Sequence, residues 1–211
     1  TGFGSLCDVR ISREELEELQ NNLIQSHASG VGDIIPDEIV RWILYLKIRN
    51  LSLGHSGVRR VLVERLIDFY NEECYPVIYE SGSLGASGDL APLAHLSLPL
   101  TGKGLIRVDG TSRSSEEVLN QKDWEPLVLQ TKEGLALLNG TQFSNAYALH
   151  ILLESWRHIN QAVMTAAMSM EAFDVRYSPV HSLVQKVRPH VGQVKIASAI
   201  RECLKDGGLK E

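Results

Sequence analysis

Cysteine is scarce in this chain. Its 211 residues hold three, Cys7, Cys74 and Cys203, an odd number with no C-x-x-C spacing. That argues against a disulfide framework and points to reduced thiols in a cytosolic compartment. Positive charge is also in deficit: 21 Lys and Arg stand against 26 Asp and Glu, for a net charge of −5. No basic patch is interleaved with aromatics. Nucleic acid and anionic membrane surfaces are therefore not expected partners. No run approaches the ~18 apolar residues of a membrane helix, and no signal-peptide pattern is visible. The expected location is the cytoplasm. The seven histidines show no H-E-x-x-H or similar spacing, so no metal site is expected. Repeats, low-complexity tracts, flexible linkers and a sharp domain boundary are missing too. What remains is ordinary globular material, 44% hydrophobic and 22% charged, enough for a core in one large or two small domains. The start at Thr1 inside TGFG and the stop after Asp206-Gly207-Gly208 read as a piece of a longer protein.

The periodicity is mostly helical. Ser12 and Glu15 form a capping box ahead of apolar positions 16, 19, 23 and 24, with Gly30 a candidate for the helix stop. A second helix starts with Pro36 in its first turn. A third covers about 56–70, with apolar residues at 58, 61, 62, 63, 66, 67 and 69. YPVIYE (75–80) is short and extended, and 89–100 reads as a buried helix despite Pro92, which fits a first turn. LIRVDGTSRS predicts a small hairpin around Asp109-Gly110, followed by a short helix over 114–120 capped by Ser114 or Ser115. A long, strongly apolar helix is expected over about 141–172, of the kind found inside a bundle or a subunit interface. A last helix follows Pro189 and Gly192. The fold class is mainly α, with one small β element.

The stretch GSLGASGDL (82–90) concentrates glycine where a helix begins. Glycine costs conformational entropy when ordered, so the backbone freedom needs a reason. One reading is a glycine-rich turn that caps the next helix. A nucleophile elbow, G-x-S-x-G, fits poorly, because Asp89 stands at the last glycine and no α/β pattern surrounds it. A third reading is chemical. In a tight turn the Gly88 nitrogen can reach the Ala86 carbonyl carbon, and loss of water closes a five-membered ring. Loss of a second water from Ser87 leaves an exocyclic methylene, an electrophile made from the backbone. Gly88 has no Cβ to block the approach, Ala86 is small, and Ser87 carries the leaving hydroxyl.

GSLGASGDLAPLAHLSLPLTGKG resembles the signature of the aromatic amino acid ammonia-lyases, which carry a methylideneimidazolone (MIO) formed from Ala-Ser-Gly. TGFGSL, NLIQSHASGVG, LSLGHSGV, KEGLALLNGTQ and VRPHVGQ agree with it, so the resemblance spans essentially the whole chain. It implies a helical bundle in which residues 1–140 are an MIO-bearing N-terminal domain lacking its first residues. Residues 141–211 would then open the central helical bundle. The cofactor would be MIO from Ala86, Ser87 and Gly88, with no external cofactor. Asp89 resembles the family's acidic neighbour of the MIO, and its other reading is an ordinary helix cap. Asn139 matches an asparagine near the MIO that can hold the substrate carboxylate or the cofactor carbonyl, and otherwise it is a turn residue. Ser26 and His27 match the pair that faces the substrate side chain, and a Ser-His pair resembles the histidine-specific members. A histidine there could also simply serve the helix C-terminus.

His55, His95, His181 and His190 lie in matching stretches, with His55 and His95 expected to be structural. His150 and His158, on the long helix, are expected to be exposed or in an interface. The implied reaction is non-oxidative deamination of L-histidine to trans-urocanate and ammonia, in a homotetramer whose sites draw on several subunits. The resemblance places the general base and the substrate-carboxylate arginine outside these 211 residues, so the piece alone would be incomplete for catalysis. Alternatives are a tyrosine or phenylalanine lyase or aminomutase, and a non-catalytic assembly or regulatory module of the same fold.

Overall fold

The structure, a computed structural model, describes residues 8–12, 15–84 and 88–207. The chain divides into two compact units, Thr1–Leu149 and His150–Glu211.

In the first unit, α1 (Leu16–His27) buries Gln20 and Ile24. The capping box forms only in part. Glu15 reaches back to the Ser12 N–H at 3.3 Å and the Ser12 hydroxyl at 2.9 Å, but Glu15 itself stands at the cap position, without a side-chain cap. Nor does Gly30 stop the helix. Ala28 is the C-cap, and Gly30 serves a close approach instead: a Cβ there would lie 3.0 Å from His95 Nε2. Next comes a strand the sequence reading missed, β1 (Val31–Ile34), exposed at all four positions and so without the alternation that marks a half-buried strand. Helix α2 (Asp37–Ser52) follows Pro36, which sits one residue before the helix rather than in its first turn. It buries Ile39, Val40, Ile43, Leu44, Lys47 and Leu51 at helical spacing. Helix α3 (Arg60–Asn71) turns Leu62, Leu66 and Phe69 onto the same core.

The extended stretch splits into β2 (Tyr75–Pro76) and β3 (Tyr79–Ser81). β3 pairs antiparallel with β1. β2 joins the expected hairpin, β4 (Leu105–Val108) and β5 (Thr111–Ser114), in a three-stranded sheet of order β2-β4-β5. Asp109 and Gly110 both take positive φ, as a two-residue hairpin turn requires. Helix α4 (Leu90–Ser97) is almost wholly buried and runs into a 3-10 turn, Leu98–Thr101. Helix α5 (Ser115–Gln121) is capped by Ser114, whose Oγ accepts the Glu117 N–H at 3.2 Å. A short helix unforeseen from the sequence, α6 (Glu133–Leu138), precedes the long α7 (Gln142–Ala172).

The second unit begins within α7. It adds a 3-10 turn (Ser178–Val180), α8 (Ser182–Val187), also missed by the sequence reading, and α9 (Val191–Cys203). Its core is Val163, Ala167, Val180, Ala197, Ile200 and Leu204. His181 stands at the α8 cap and accepts the Leu183 N–H on Nδ1 at 3.2 Å. The long helix leaves large apolar side chains exposed, among them Ile151, Trp156, Met164 and Met168. His158 is exposed and His150 half-buried. No helix among the described residues is long and apolar enough to cross a membrane, and no described cluster of His, Cys, Asp and Glu could hold a metal.

Candidate active site around Gly88

Three segments of the first unit meet at Gly88: the loop between β3 and α4, the C-terminal end of α1, and the turn joining α6 to α7. Ala86 and Ser87 lie outside the described residues; Gly88 and Asp89 lie within them. Gly88 has φ of +122°, and a Cβ built on it would fall 2.7 Å from the Gly140 carbonyl oxygen and 3.1 Å from the Gly140 nitrogen. Only glycine fits both the dihedral and the space. A ring closed by the nitrogen of residue 88 needs this position to lack a side chain, and this backbone leaves no room for one. The residues present therefore fit the group that the Ala-Ser-Gly motif implies.

Asp89 is fully buried. It stands at the N-cap position of α4, yet its carboxylate makes no cap bond to that helix. Instead Oδ1 accepts from the hydroxyls of Ser83 (2.8 Å) and Ser144 (2.7 Å), and Oδ2 from the Ser144 N–H (2.9 Å). The Asp89 N–H donates to the Gly140 carbonyl at 2.8 Å. The carboxylate therefore sits at the N-terminal end of α7, where the free N–H groups and the helix dipole favour negative charge. It ties the Gly88 loop to the start of the long helix.

Ser26 and His27 close α1. The Ser26 hydroxyl donates to the Leu23 carbonyl at 3.0 Å, and His27 Nδ1 lies 2.8 Å from the same oxygen. A carbonyl only accepts, so Nδ1 carries the proton, and in the neutral ring Nε2 is left as the acceptor. His27 thus serves the helix C-terminus and also lines a cavity of about 180 Å³ together with Ser26, Gly82, Leu84, Gly88 and Leu90. His95, as expected, is structural. It accepts the Gly30 N–H on Nε2 at 3.0 Å and packs edge-on against Tyr79, with ring centroids 5.0 Å apart. Burial holds its pKa below the ordinary histidine value.

Asn139 is placed differently from its sequence partners. It is the C-cap of α6, it is exposed, and its Nδ2 donates to the Leu135 carbonyl at 3.0 Å. It lines a separate hollow of about 420 Å³ with Asn50, His55, Ser56 and Lys132. Its link to Gly88 runs through the backbone of Gly140.

The residues that hold α6 were invisible as site residues in the sequence. Lys47 is fully buried, and its Nζ donates to the carbonyls of Ala136 (2.8 Å) and Asn139 (3.1 Å). Burial lowers its pKa to about 7. Gln20 Oε1 accepts the Gly134 N–H at 3.0 Å. Glu133, 1% exposed, accepts from Arg59 Nη2 (2.8 Å), Arg59 Nε (2.9 Å) and the Arg59 N–H (2.9 Å), and from the Gln130 N–H (2.8 Å). Burial alone would raise the Glu133 pKa, but these bonds outweigh it and hold the carboxyl below its ordinary value. One signal was available: Lys47 is a charge at a core position of the apolar face of α2.

Residues 1–210 match the aromatic amino acid lyase family. A histidine ammonia-lyase of Idiomarina loihiensis is 49% identical over 206 residues, 98% of this chain and 40% of that protein. The crystal structure of tyrosine aminomutase from Streptomyces globisporus superposes with a TM-score of 0.93 at 35% identity, covering 100% of this chain and 40% of that one. Histidine ammonia-lyase from Trypanosoma cruzi gives a TM-score of 0.86 at 38% identity, over 90% of this chain and 38% of that one. The chain thus spans about 40% of the length of the relatives it matches. With the match running along nearly every residue, the chain belongs to the aromatic amino acid lyase family.

Proposed function

We propose that the full-length protein carrying this chain removes ammonia from L-histidine to give trans-urocanate. The observation that carries this reading is the 49% identity to a histidine ammonia-lyase across 98% of the chain. The cavity that brings Ser26 and His27 to Gly88 supports it. Ala86, Ser87 and Gly88 form the MIO, and that group, once formed, supplies an electrophile to the substrate's amine. The chain's own residues bind and orient. His27, protonated on Nδ1, offers Nε2 as an acceptor, the complement of an imidazole N–H on the substrate. Ser26 holds the end of α1 through the same Leu23 carbonyl. Asp89 pins the loop to α7 through the two serines and its own N–H. Asn139, at the adjoining turn, reaches the substrate carboxylate or the ring carbonyl by turning its amide away from the Leu135 carbonyl and the hollow it lines with Asn50 and His55.

Residues 1–140 make up the MIO-bearing domain and 141–211 the start of the central bundle; the break between compact units falls a little later, after Leu149, inside α7. The protein works in the cytoplasm as a homotetramer. The exposed Ile151, Trp156, Met164 and Met168 of α7 support burial against other subunits.

The test is Ser87→Ala in the full-length protein. The peptide covering 86–88 is expected to lose its two-water mass deficit, its ultraviolet absorbance and urocanate formation together. Urocanate formation at the wild-type rate in that variant would contradict the mechanism. The TM-score of 0.93 to a tyrosine aminomutase favours one second reading, an aminomutase or a tyrosine lyase. Comparing urocanate, coumarate, cinnamate and β-amino acid formation by the wild type separates them.

A further inference from the structure

Helix α6 has six residues, too few to persist alone in water. It nevertheless ends in the turn that lies on Gly88. Gln20, Arg59 and Lys47 hold it from three other segments, and of these Lys47 reaches the turn itself. Its Nζ donates to the carbonyls of Ala136 and Asn139, groups that a helix C-terminus leaves without intrahelical donors. One residue further on, the Gly140 carbonyl accepts the Asp89 N–H at 2.8 Å and stands 2.7 Å from the place a Gly88 Cβ would take. A side chain that merely filled this face of α2 would be apolar, as Ile43, Leu44 and Leu51 are. Burying an amine there is unfavourable unless its donors are used. Among the described residues no carboxylate forms an ion pair with Lys47, so the two carbonyls are its partners.

We propose that Lys47 is a positioning residue that fixes the Asn139–Gly140 turn against the Gly88–Asp89 backbone and so sets the approach of the Gly88 nitrogen to the Ala86 carbonyl carbon. The inference rests on the reading that residues 86–88 cyclise. In that closure the Gly88 nitrogen bonds to the Ala86 carbonyl carbon, and the carbonyl oxygen leaves as water with the hydrogens of the Gly88 and Ser87 nitrogens. The Ser87 hydroxyl and α-hydrogen leave as the second water. No oxidant or reductant takes part, and Lys47 exchanges no atom. An amine donates to both carbonyls whether charged or neutral, so the placement survives loss of its proton.

The test uses the full-length protein as wild type, Lys47→Met and Lys47→Arg. Fold and assembly are checked by circular dichroism and gel filtration. The readout is the fraction of folded chains whose 86–88 peptide is lighter by two waters. Misplacing reacting groups by an ångström costs up to about a hundredfold, so Lys47→Met is expected to lower that fraction at least about tenfold, with Lys47→Arg recovering most of it. If Lys47→Met does not fold, Lys47→Gln takes its place, since its amide is one bond too short to reach both carbonyls. A folded Met or Gln variant that matures as the wild type does would refute the role of Lys47 alone. An arginine variant that folds but matures no better than the methionine variant would also refute it. A wild type without the two-water deficit would overturn the underlying reading and this inference with it.

Discussion

Helices α4 and α6 are both short, and each has one end against Gly88, yet they are held there by opposite means. Six of the eight residues of α4 are buried, and Leu93, Ala94 and Leu96 have no exposed surface. Apolar area removed from water fixes its place. Helix α6 buries Leu137 and Leu138 but takes its bearings from polar groups: Gln20 and Glu133 at its first turn, Lys47 at its last. Apolar packing tolerates small slides, whereas a buried donor must meet its acceptor or be left unsatisfied. The turn that touches Gly88 is therefore set by hydrogen bonds, and the helix that follows Gly88 is anchored by packing.

The sharpest way to break this arrangement is at the contact between the two sides. Gly88→Ala places a Cβ 2.7 Å from the Gly140 carbonyl oxygen at a φ that side chains avoid. Maturation of the 86–88 peptide, followed by mass, is expected to fall about a hundredfold or more. The packing side is tested by Leu93→Ala, which is expected to destabilise the fold by about 2–5 kcal/mol in urea unfolding while folded chains still mature. The polar side gives an effect of another kind, a change of slope with pH. The pKa of Lys47 is lowered by burial from 10.5 to about 7. Between these values the unfolded chain holds a proton that the folded chain does not, so Lys47 makes stability rise with pH. Below about 7 the fold bears the whole penalty of the buried ammonium. Relative to wild type, Lys47→Met should therefore be most favoured near about pH 6 and lose that advantage toward about pH 10, as compared by urea midpoints.

What the sequence made legible follows the same division. The apolar periodicity of α2, α3 and α7 and the Asp109-Gly110 turn each carry their own signal, and the structure has them close to where the pattern puts them. β1 carries none, because all four of its residues are exposed and it exists through pairing with β3. α6 carries little, because six residues give fewer than two turns of period and its supports come from distant parts of the chain. At the site, the glycine-rich motif was legible because glycine marks a backbone constraint directly. The destination of the Asp89 carboxylate was not. A cap residue next to a helix is a local inference, and one of the two serines it binds instead, Ser144, is 55 residues away. Asn139 was legible as a motif residue, but its side chain faces a hollow other than the one lined by His27.

The proposed ring closure of Ala86, Ser87 and Gly88 depends on a Gly88 backbone beside which the Gly140 turn leaves no room for a side chain. The most direct measurement is the mass of the peptide spanning 86–88 from the full-length wild-type protein. A peptide lighter than the encoded sequence by two waters is expected, with no two-water deficit in Ser87→Ala. An unmodified peptide in wild-type protein that still converts L-histidine to urocanate would contradict it.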